Sequence, residues 1–437
     1  MDVFSLNTMI GSIKKMHHNS FLINIKDKGF FHLFSANFLI LFVGFASQIM
    51  VAWILTPVQL GQIKIMQTYL AISLLFTTFG FNSSVLKLGS EQRAKPQIIY
   101  IYKKSLKYIT ITLIIVLPIL MISTKLGLIS NDLVITKYFI YLLVALIPMT
   151  YSTIYSAYLQ AIKEIKLLSK INIATKIFSV TLVIVLTYLL KFKGYLLALI
   201  ISYLITFCFL YIIIQKINGK VIDEPIKNPL KTHTKIASIS FLTNLIGQLS
   251  IYADVFLMNY YITDKESIGY YSFALTLIVI TTIYTNTVNQ ISVPFLSEKS
   301  SNPSDLRRIS RLYERINIAG SFVLALLMFF FIPLFIKLIF GLKYEPSIHF
   351  FKIMLFSWLL TNIVSYKGYT LFCIGKINYN LYSSIILLVI NFLLSFLCLT
   401  KFGLIGLAYG KLLTSILAVF FISFIYKIGM RSYERTF

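Results

Sequence analysis

Four ionisable side chains lie inside apolar stretches of this sequence, where a charge has to be explained: Lys176, Lys367, Lys411 and Asp254. A charge at the centre of a membrane-spanning helix costs about 2.5–3.5 kcal/mol on insertion scales, so each marks a water-filled path, a counter-ion or a route to the headgroups. Lys176 and Lys367 fall within about six residues, roughly 9 Å, of the inner ends of their expected helices. At that depth a snorkelling lysine stem competes evenly with a cavity role. Lys411 is deeper and follows Gly403, Gly406 and Gly410, small residues that let helices approach closely. Asp254 continues a stripe of Ser240, Asn244, Gly247 and Ser250 at helical spacing, the pattern of a helix facing an interior path. It reads as a counter-ion to a lysine or a protonation site for ion coupling, since burial favours a neutral carboxyl. Simple solvation near the outer end of its helix is the alternative.

Uncharged polar residues extend the same theme. Asn37, Asn82, Asn244, Gln248, Asn286 and Asn289 all sit within or at the ends of apolar runs and are candidates for a polar cavity lining. Amides and hydroxyls suit hydroxyl-rich cargo, although helix-to-helix contacts explain any single one of them equally well. Other chemistry is not indicated. Cys208, Cys373 and Cys398 have no paired spacing, and the five histidines are scattered, so neither a disulfide framework nor a metal site is expected. No G-x-x-x-x-G-K-[ST] loop for nucleotide phosphates occurs. Acids in the expected outer loops are Asp132, Asp264, Glu266 and Glu345, without catalytic pairing, so an enzyme is not expected and no cofactor is implied.

The elements that position these residues must be membrane-spanning helices. The chain is 58% hydrophobic and 13% charged, against about 45–50% and 25% in soluble domains, and its mean hydropathy is +0.83. Runs of about 20 apolar residues predict an all-α integral membrane fold of about twelve transmembrane helices in two six-helix bundles with a central cavity. The expected organisation is a tail over 1–32, a six-helix lobe over 33–215, a linker over 216–235, a second lobe over 236–426 and a tail over 427–437. A net charge of +25 does not indicate nucleic-acid binding, because the Lys and Arg lie in short segments between apolar runs. With the N-terminus inside, those inner segments hold 27 Lys and Arg and the outer loops 10, Lys64 being counted with the latter. That asymmetry places both termini, the linker and both tails in the cytoplasm.

The halves echo one another. Gly61 in LTPVQLGQIKIMQTYLAI and Gly269 in TDKESIGYYSFALTLI occupy matching places, and YLQAIKEIKLLSKINI with KFKGYLLA parallels LFCIGKINYNLYSSII with KFGLIGLA. Six helices per half makes this a parallel repeat about an axis along the membrane normal.

Taken in order, the stretches 54–88, 251–274, 291–315 and 371–410 give the chain a resemblance to the polysaccharide transporter family. These are the O-antigen (Wzx-type) flippases of the multidrug/oligosaccharidyl-lipid/polysaccharide exporter superfamily. The resemblance implies alternating access in the bacterial cytoplasmic membrane. The implied partner is an undecaprenyl-diphosphate-linked glycan, moved from the inner to the outer leaflet, with a polysaccharide polymerase and chain-length proteins as further candidate partners. A proton or sodium gradient is the candidate energy source. Lys176, Lys367 and Lys411 fit the cationic cavity such cargo requires, because a lysine is a compact point charge for a diphosphate. Rival readings are a multidrug or lipid II exporter of the same superfamily and, less favoured, a membrane polysaccharide polymerase.

Overall fold

A computed structural model describes residues 30–90, 94–219, 229–298 and 302–435, and every regular element among them is helical. In chain order these are α1 (Phe30–Ile54), α2 (Pro57–Thr78), α3 (Phe81–Ser90), α4 (Lys95–Lys125), α5 (Leu133–Leu142) and α6 (Leu146–Ala161). Then follow α7 (Ile165–Asn218), α8 (Pro229–Tyr261), α9 (Lys265–Glu298), α10 (Pro303–Phe340), α11 (Ser347–Cys373), α12 (Ile377–Phe402) and α13 (Leu404–Glu434). Nine spans among the described residues pass a length and hydropathy test for crossing a bilayer, α5 and α6 being joined in one of them, and the bent pair α2–α3 makes a tenth. The 54 residues of α7 would run about 80 Å if straight, more than twice the ~30 Å hydrocarbon core. The chain reverses instead at Lys191, which takes φ 51° and ψ −131°. The two arms of α7 are thus separate spans and, with α1, the described residues form twelve, six in each half.

Helix ends run past the expected spans. The third span begins at Lys95, α7 continues to Asn218 and α8 begins at Pro229, both inside the expected linker, and α13 reaches Glu434 inside the expected tail. An apolar-run reading sees only the hydrocarbon core, whereas the basic ends of these helices continue through the headgroup layer.

Local chemistry explains the breaks. Thr56 caps α2: its hydroxyl accepts from the Gln59 backbone N–H while Gln59 Oε1 accepts from the Thr56 N–H, with Pro57 in the first turn. Phe79 and Gly80 turn left-handed at φ 44° and 72°, bending α2 from α3 by 52°. A Cβ on Gly80 would lie 2.2 Å from the Ala237 carbonyl, so this glycine lets α8 pack into the bend.

Backbone features recur 212 positions apart. Lys163 and Gly375 have φ 66° and 75° just before α7 and α12, and Lys191 and Gly403 have φ 51° and 64° at the two hairpin turns. Gly194 and Gly406 then admit the carbonyls of Leu186 and Cys398, which a Cβ would meet at 1.8 and 2.0 Å. The sequence parallel of KFKGYLLA with KFGLIGLA sets Gly194 opposite Leu404. The structure shifts the register by two residues, because the glycine has to fall where the hairpin closes.

Packing differs between the two ends of the bundle. At the end bearing the 55–56 and 262–264 turns, here the far end, one core joins both halves through Leu55, Met66, Phe139, Tyr195, Tyr271 and Phe351. Towards the opposite, basic end there are two cores. One gathers Val85, Ile109, Tyr158 and Leu210 with Ala237, and the other gathers Leu296, Leu306, Tyr366 and Met430. The halves are closed on each other at the far end and divided at the basic end.

Candidate functional site

The α2–α9 crossing seals the far end. Gly61 lies against Ile268 and Gly269, and a Cβ on Gly269 would stand 2.0 Å from the Pro57 carbonyl. Polar bonds surround this crossing. Asn259 of α8 accepts from Ser130 Oγ at 2.8 Å and donates to the Ile129 carbonyl at 2.7 Å and to Tyr69 Oη at 3.2 Å. Asp132 caps α5, accepts from Gln62 Nε2 at 2.9 Å and pairs with Lys265 at 3.1 Å. Burial raises the Asp132 carboxyl, but the bonds from Gln62 and Val134 and the Lys265 charge outweigh it and hold the group below the ordinary carboxylate range. Lys343 adds hydrogen bonds to the Ala52 and Trp53 carbonyls at 3.1 and 3.0 Å.

Just below this seal lies a charged cluster. Asp254 on α8 is 3% exposed, pairs with Lys411 of α13 at 3.0 Å and accepts from Tyr271 Oη of α9 at 2.8 Å. Lys64 of α2 is close enough to interact electrostatically with both Asp254 and Lys411. Side chains from α2, α8, α9 and α13 therefore meet here, and both halves contribute.

Lys64 corrects the sequence reading, which assigned it to an outer loop. Its helix starts at Pro57, so Lys64 lies about 10 Å inside α2. The Thr-Pro-Val-Gln capping box is the signal that marks this start in the sequence.

The predicted lysines are not brought together. Lys367 donates to Ser423 Oγ at 2.8 Å and lies 3.7 Å from Glu314 of α10. Lys176 stands eleven residues into α7, about 16 Å from its start and deeper than the expected helix allowed. It makes no hydrogen bond or ion pair among the described residues, and Gly44 of α1 leaves room for its Nζ. Around it the first half forms an open cavity of about 480 Å3, whose wall includes Gln48, Gln67, Thr175, Tyr195 and Ser202. Lys64, Lys176, Lys367 and Lys411 are all partly buried, two of them beside Asp254 or Glu314, whereas Arg315, next to Glu314 in the same helix, is exposed.

The amides divide in the same way. Asn244 is exposed beside Gly247, next to which a Cβ would meet nothing within 4 Å. Gln248 keeps a buried Oε1 with no hydrogen-bond partner. Asn82 is half-buried and Asn286 exposed, whereas Asn289 is engaged in packing, donating to Tyr369 Oη at 2.6 Å. The Asn37 side chain lies outside the described part of the structure.

His233, one of the scattered histidines, is 3% exposed. It bridges the hydroxyls of Ser84 and Ser105 at 2.5 and 2.8 Å, holding the start of α8 against the first half. Further along, α8 changes sides, since Asn391 of α12 donates to the Ser250 carbonyl and Asp254 pairs with α13. This helix ties the two halves together along its length.

The family described as "Polysaccharide biosynthesis protein" matches residues 27–300. The chain is 26% identical over 165 residues to the capsular polysaccharide biosynthesis protein CapF of Staphylococcus aureus, a match covering 37% of this chain and 42% of that protein. The aligned part thus spans less than half the length of that relative. Among solved structures, an inward-facing multidrug resistance MATE family transporter of the MOP superfamily superposes with a TM-score of 0.74 at 12% identity, covering 91% of this chain and 96% of the other. The lipid II flippase MurJ in an inward closed conformation gives a TM-score of 0.74 at 16% identity, covering 90% and 87%. Both likenesses describe the fold.

Proposed function

The chain belongs to the polysaccharide biosynthesis protein family, and from that premise we propose that it is a flippase for lipid-linked surface-polysaccharide repeat units. The cargo is an oligosaccharide joined through a diphosphate to a polyprenyl lipid, and it moves from the inner to the outer leaflet of the bacterial cytoplasmic membrane. One observation carries this reading: four partly buried lysines, Lys64, Lys176, Lys367 and Lys411, among the helices of a bundle that is closed at one end and divided at the other. A cationic interior favours an anionic headgroup, whereas a cationic drug would be repelled.

The mechanism follows from the charges. With the basic end in the cytoplasm, the divided end admits the headgroup while the polyprenyl tail stays in the bilayer. Lys411 is held by Asp254 and Lys367 by Glu314, which leaves Lys64 and Lys176 as the cations without a direct acidic partner among the described residues. The arriving diphosphate competes with Asp254 for Lys411 and Lys64. Loss of the Asp254–Lys411 bond frees α8 from α13 and leaves the Asp254 carboxylate without its cation. This assigns ion coupling to Asp254, with a proton or sodium ion as the coupling cation. The chain itself performs no bond chemistry in this scheme.

Deletion of the gene in its host, followed by analysis of polyprenyl-diphosphate glycans on each membrane face, tests the reading. Intact repeat units accumulating on the cytoplasmic face with surface polymer lost is the expected result. Unpolymerised units on the outer face would instead identify a polymerase.

A further inference from the structure

The cavity around Lys176 is separate in position from the Asp254 cluster. It lies within the first half, walled by α1, α2 and both arms of α7, and its volume of about 480 Å3 falls in the ~300–1,000 Å3 range of small-ligand sites. Its wall contains hydroxyls and amides and, apart from Lys176, no charge: Gln48, Gln67, Asn172, Ser179, Tyr195 and Ser202 all contribute. The Lys176 ammonium points to a ligand rather than to packing: it has no partner among the described residues, and the polar groups around it in the wall are neutral hydroxyls and amides. Ser202 in the same wall keeps a buried hydroxyl without a hydrogen-bond partner. A cation without an acidic partner in a polar chamber favours an anion.

The repeat shows that the fold does not require a cation here. At the 212-residue offset Lys176 corresponds to Leu388, in a hairpin of the same backbone build. The lysine belongs to what the first cavity holds, not to how the hairpin packs.

We propose that this chamber is a phosphosugar subsite, in which Lys176 takes a phosphate and the hydroxyl-amide wall takes the sugar ring attached to it. Tyr195 is preset for this role by the 2.7 Å hydrogen bond that its hydroxyl accepts from Gln67. Gly44 keeps the lysine head free of steric contact. The proposal rests on the flippase reading for the source of the ligand, the junction of diphosphate and first sugar in the cargo. A soluble sugar phosphate presents the same chemistry.

Calorimetric titration of the full chain in lipid nanodiscs distinguishes the possibilities. The probes are glucose 1-phosphate, N-acetylglucosamine 1-phosphate, inorganic phosphate and free glucose. At least one hexose 1-phosphate is expected to bind more tightly than inorganic phosphate and free glucose. Lys176→Gln should weaken it about tenfold or more, as loss of a charge-assisted bond does, while Lys176→Arg restores most of the binding and Lys401→Gln, at an exposed lysine of the second half, leaves it unchanged. Ser202→Ala should weaken the hexose phosphate severalfold and inorganic phosphate little. Equal binding by wild type and Lys176→Gln overturns the site, and inorganic phosphate binding as tightly as both sugar phosphates overturns its sugar half. Displacement of the probe by a polyprenyl-diphosphate sugar in the nanodisc supports the cargo as the source, and lack of displacement overturns that source. Flipping of the lipid-linked sugar in proteoliposomes is scored separately. Flipping with a Lys176-independent titration sinks the subsite alone, whereas a Lys176-dependent titration without flipping sinks the flippase reading alone.

Discussion

Asp254 on α8 and Lys411 on α13 form an ion pair at 3.0 Å across 157 residues of sequence, with the carboxylate also accepting from Tyr271. Asp254 is almost wholly buried, while Lys411 keeps 30% of its side chain exposed. Removing one member of a buried pair leaves an uncompensated charge worth about 3–5 kcal/mol, less here because Lys411 is partly solvated. Asp254→Asn is expected to lower thermal stability and abolish transport. The double variant Asp254→Asn with Lys411→Met is expected to regain stability without regaining transport, and a double-mutant cycle on both readouts measures the difference. Recovery of transport in the double variant would show the pair to be structural only.

Lys64 and Lys367 make opposite predictions. Lys64 faces the Asp254 cluster without a direct ion pair, whereas Lys367 is engaged by Glu314 and Ser423 near the basic end. Lys64→Gln is expected to reduce flipping in proteoliposomes about tenfold or more, and Lys367→Gln only severalfold. The reverse order would move the headgroup site towards the basic end.

The far-end seal depends on two glycines. Ala at Gly269 would drive a Cβ into the Pro57 carbonyl, whereas Ala at Gly61 meets a movable Ile268 methyl and the edge of the Gly269 backbone. Overpacking of this kind costs about 1–3 kcal/mol, so Gly269→Ala is expected to favour the far-end-open state more strongly than Gly61→Ala. Labelling of a cysteine introduced at Tyr69 by a membrane-impermeant reagent from the far side measures the shift.

Polar contacts at that seal differ in weight. The Asp132–Lys265 pair is half-exposed on the lysine side and should contribute about 0–1 kcal/mol. Asn259 is 8% exposed, and removing its bonds leaves buried groups unsatisfied at about 1–3 kcal/mol. Asn259→Ala is therefore expected to open the far end to labelling more than Lys265→Ala. Asp132 contributes in one pH window only. Its carboxyl lies below the ordinary range in the folded state, so its stabilisation is complete above about pH 4, the unfolded value, and is lost as pH falls through the lower folded value. Far-end labelling should be flat in this respect between about pH 5 and 8, and Asp132→Asn should remove any acid-induced opening.

His233 anchors the start of α8 to α3 and α4 through Ser84 and Ser105. His233→Ala should lower stability by about 2 kcal/mol, from two lost hydrogen bonds and a small cavity. Its expected functional effect is slower flipping with unchanged headgroup binding, since no cargo contact is removed. Unchanged flipping in a destabilised variant would confine His233 to folding.

The class of this protein is legible along its chain. Twelve apolar runs, the excess of Lys and Arg in alternate connections, and an Asp on a polar helical stripe are local quantities, and a bilayer reads them locally because it demands about 20 apolar residues per crossing. The paired echoes of Gly61 with Gly269 were legible for the same reason.

What only the tertiary structure decided is which charges meet. Lys176, Lys367 and Lys411 look alike along the chain, yet one stands alone in a polar chamber and two hold carboxylates brought by other helices. Lys64 looked like a loop residue until the helix starting at Pro57 carried it inwards beside Asp254. His233 and Asn259 gave no sign of their roles, because their partners lie 149 and 129 residues away. Spacing along a helix fixes the face a side chain occupies. The partner on that face is chosen by packing between helices, which no single stretch of sequence encodes.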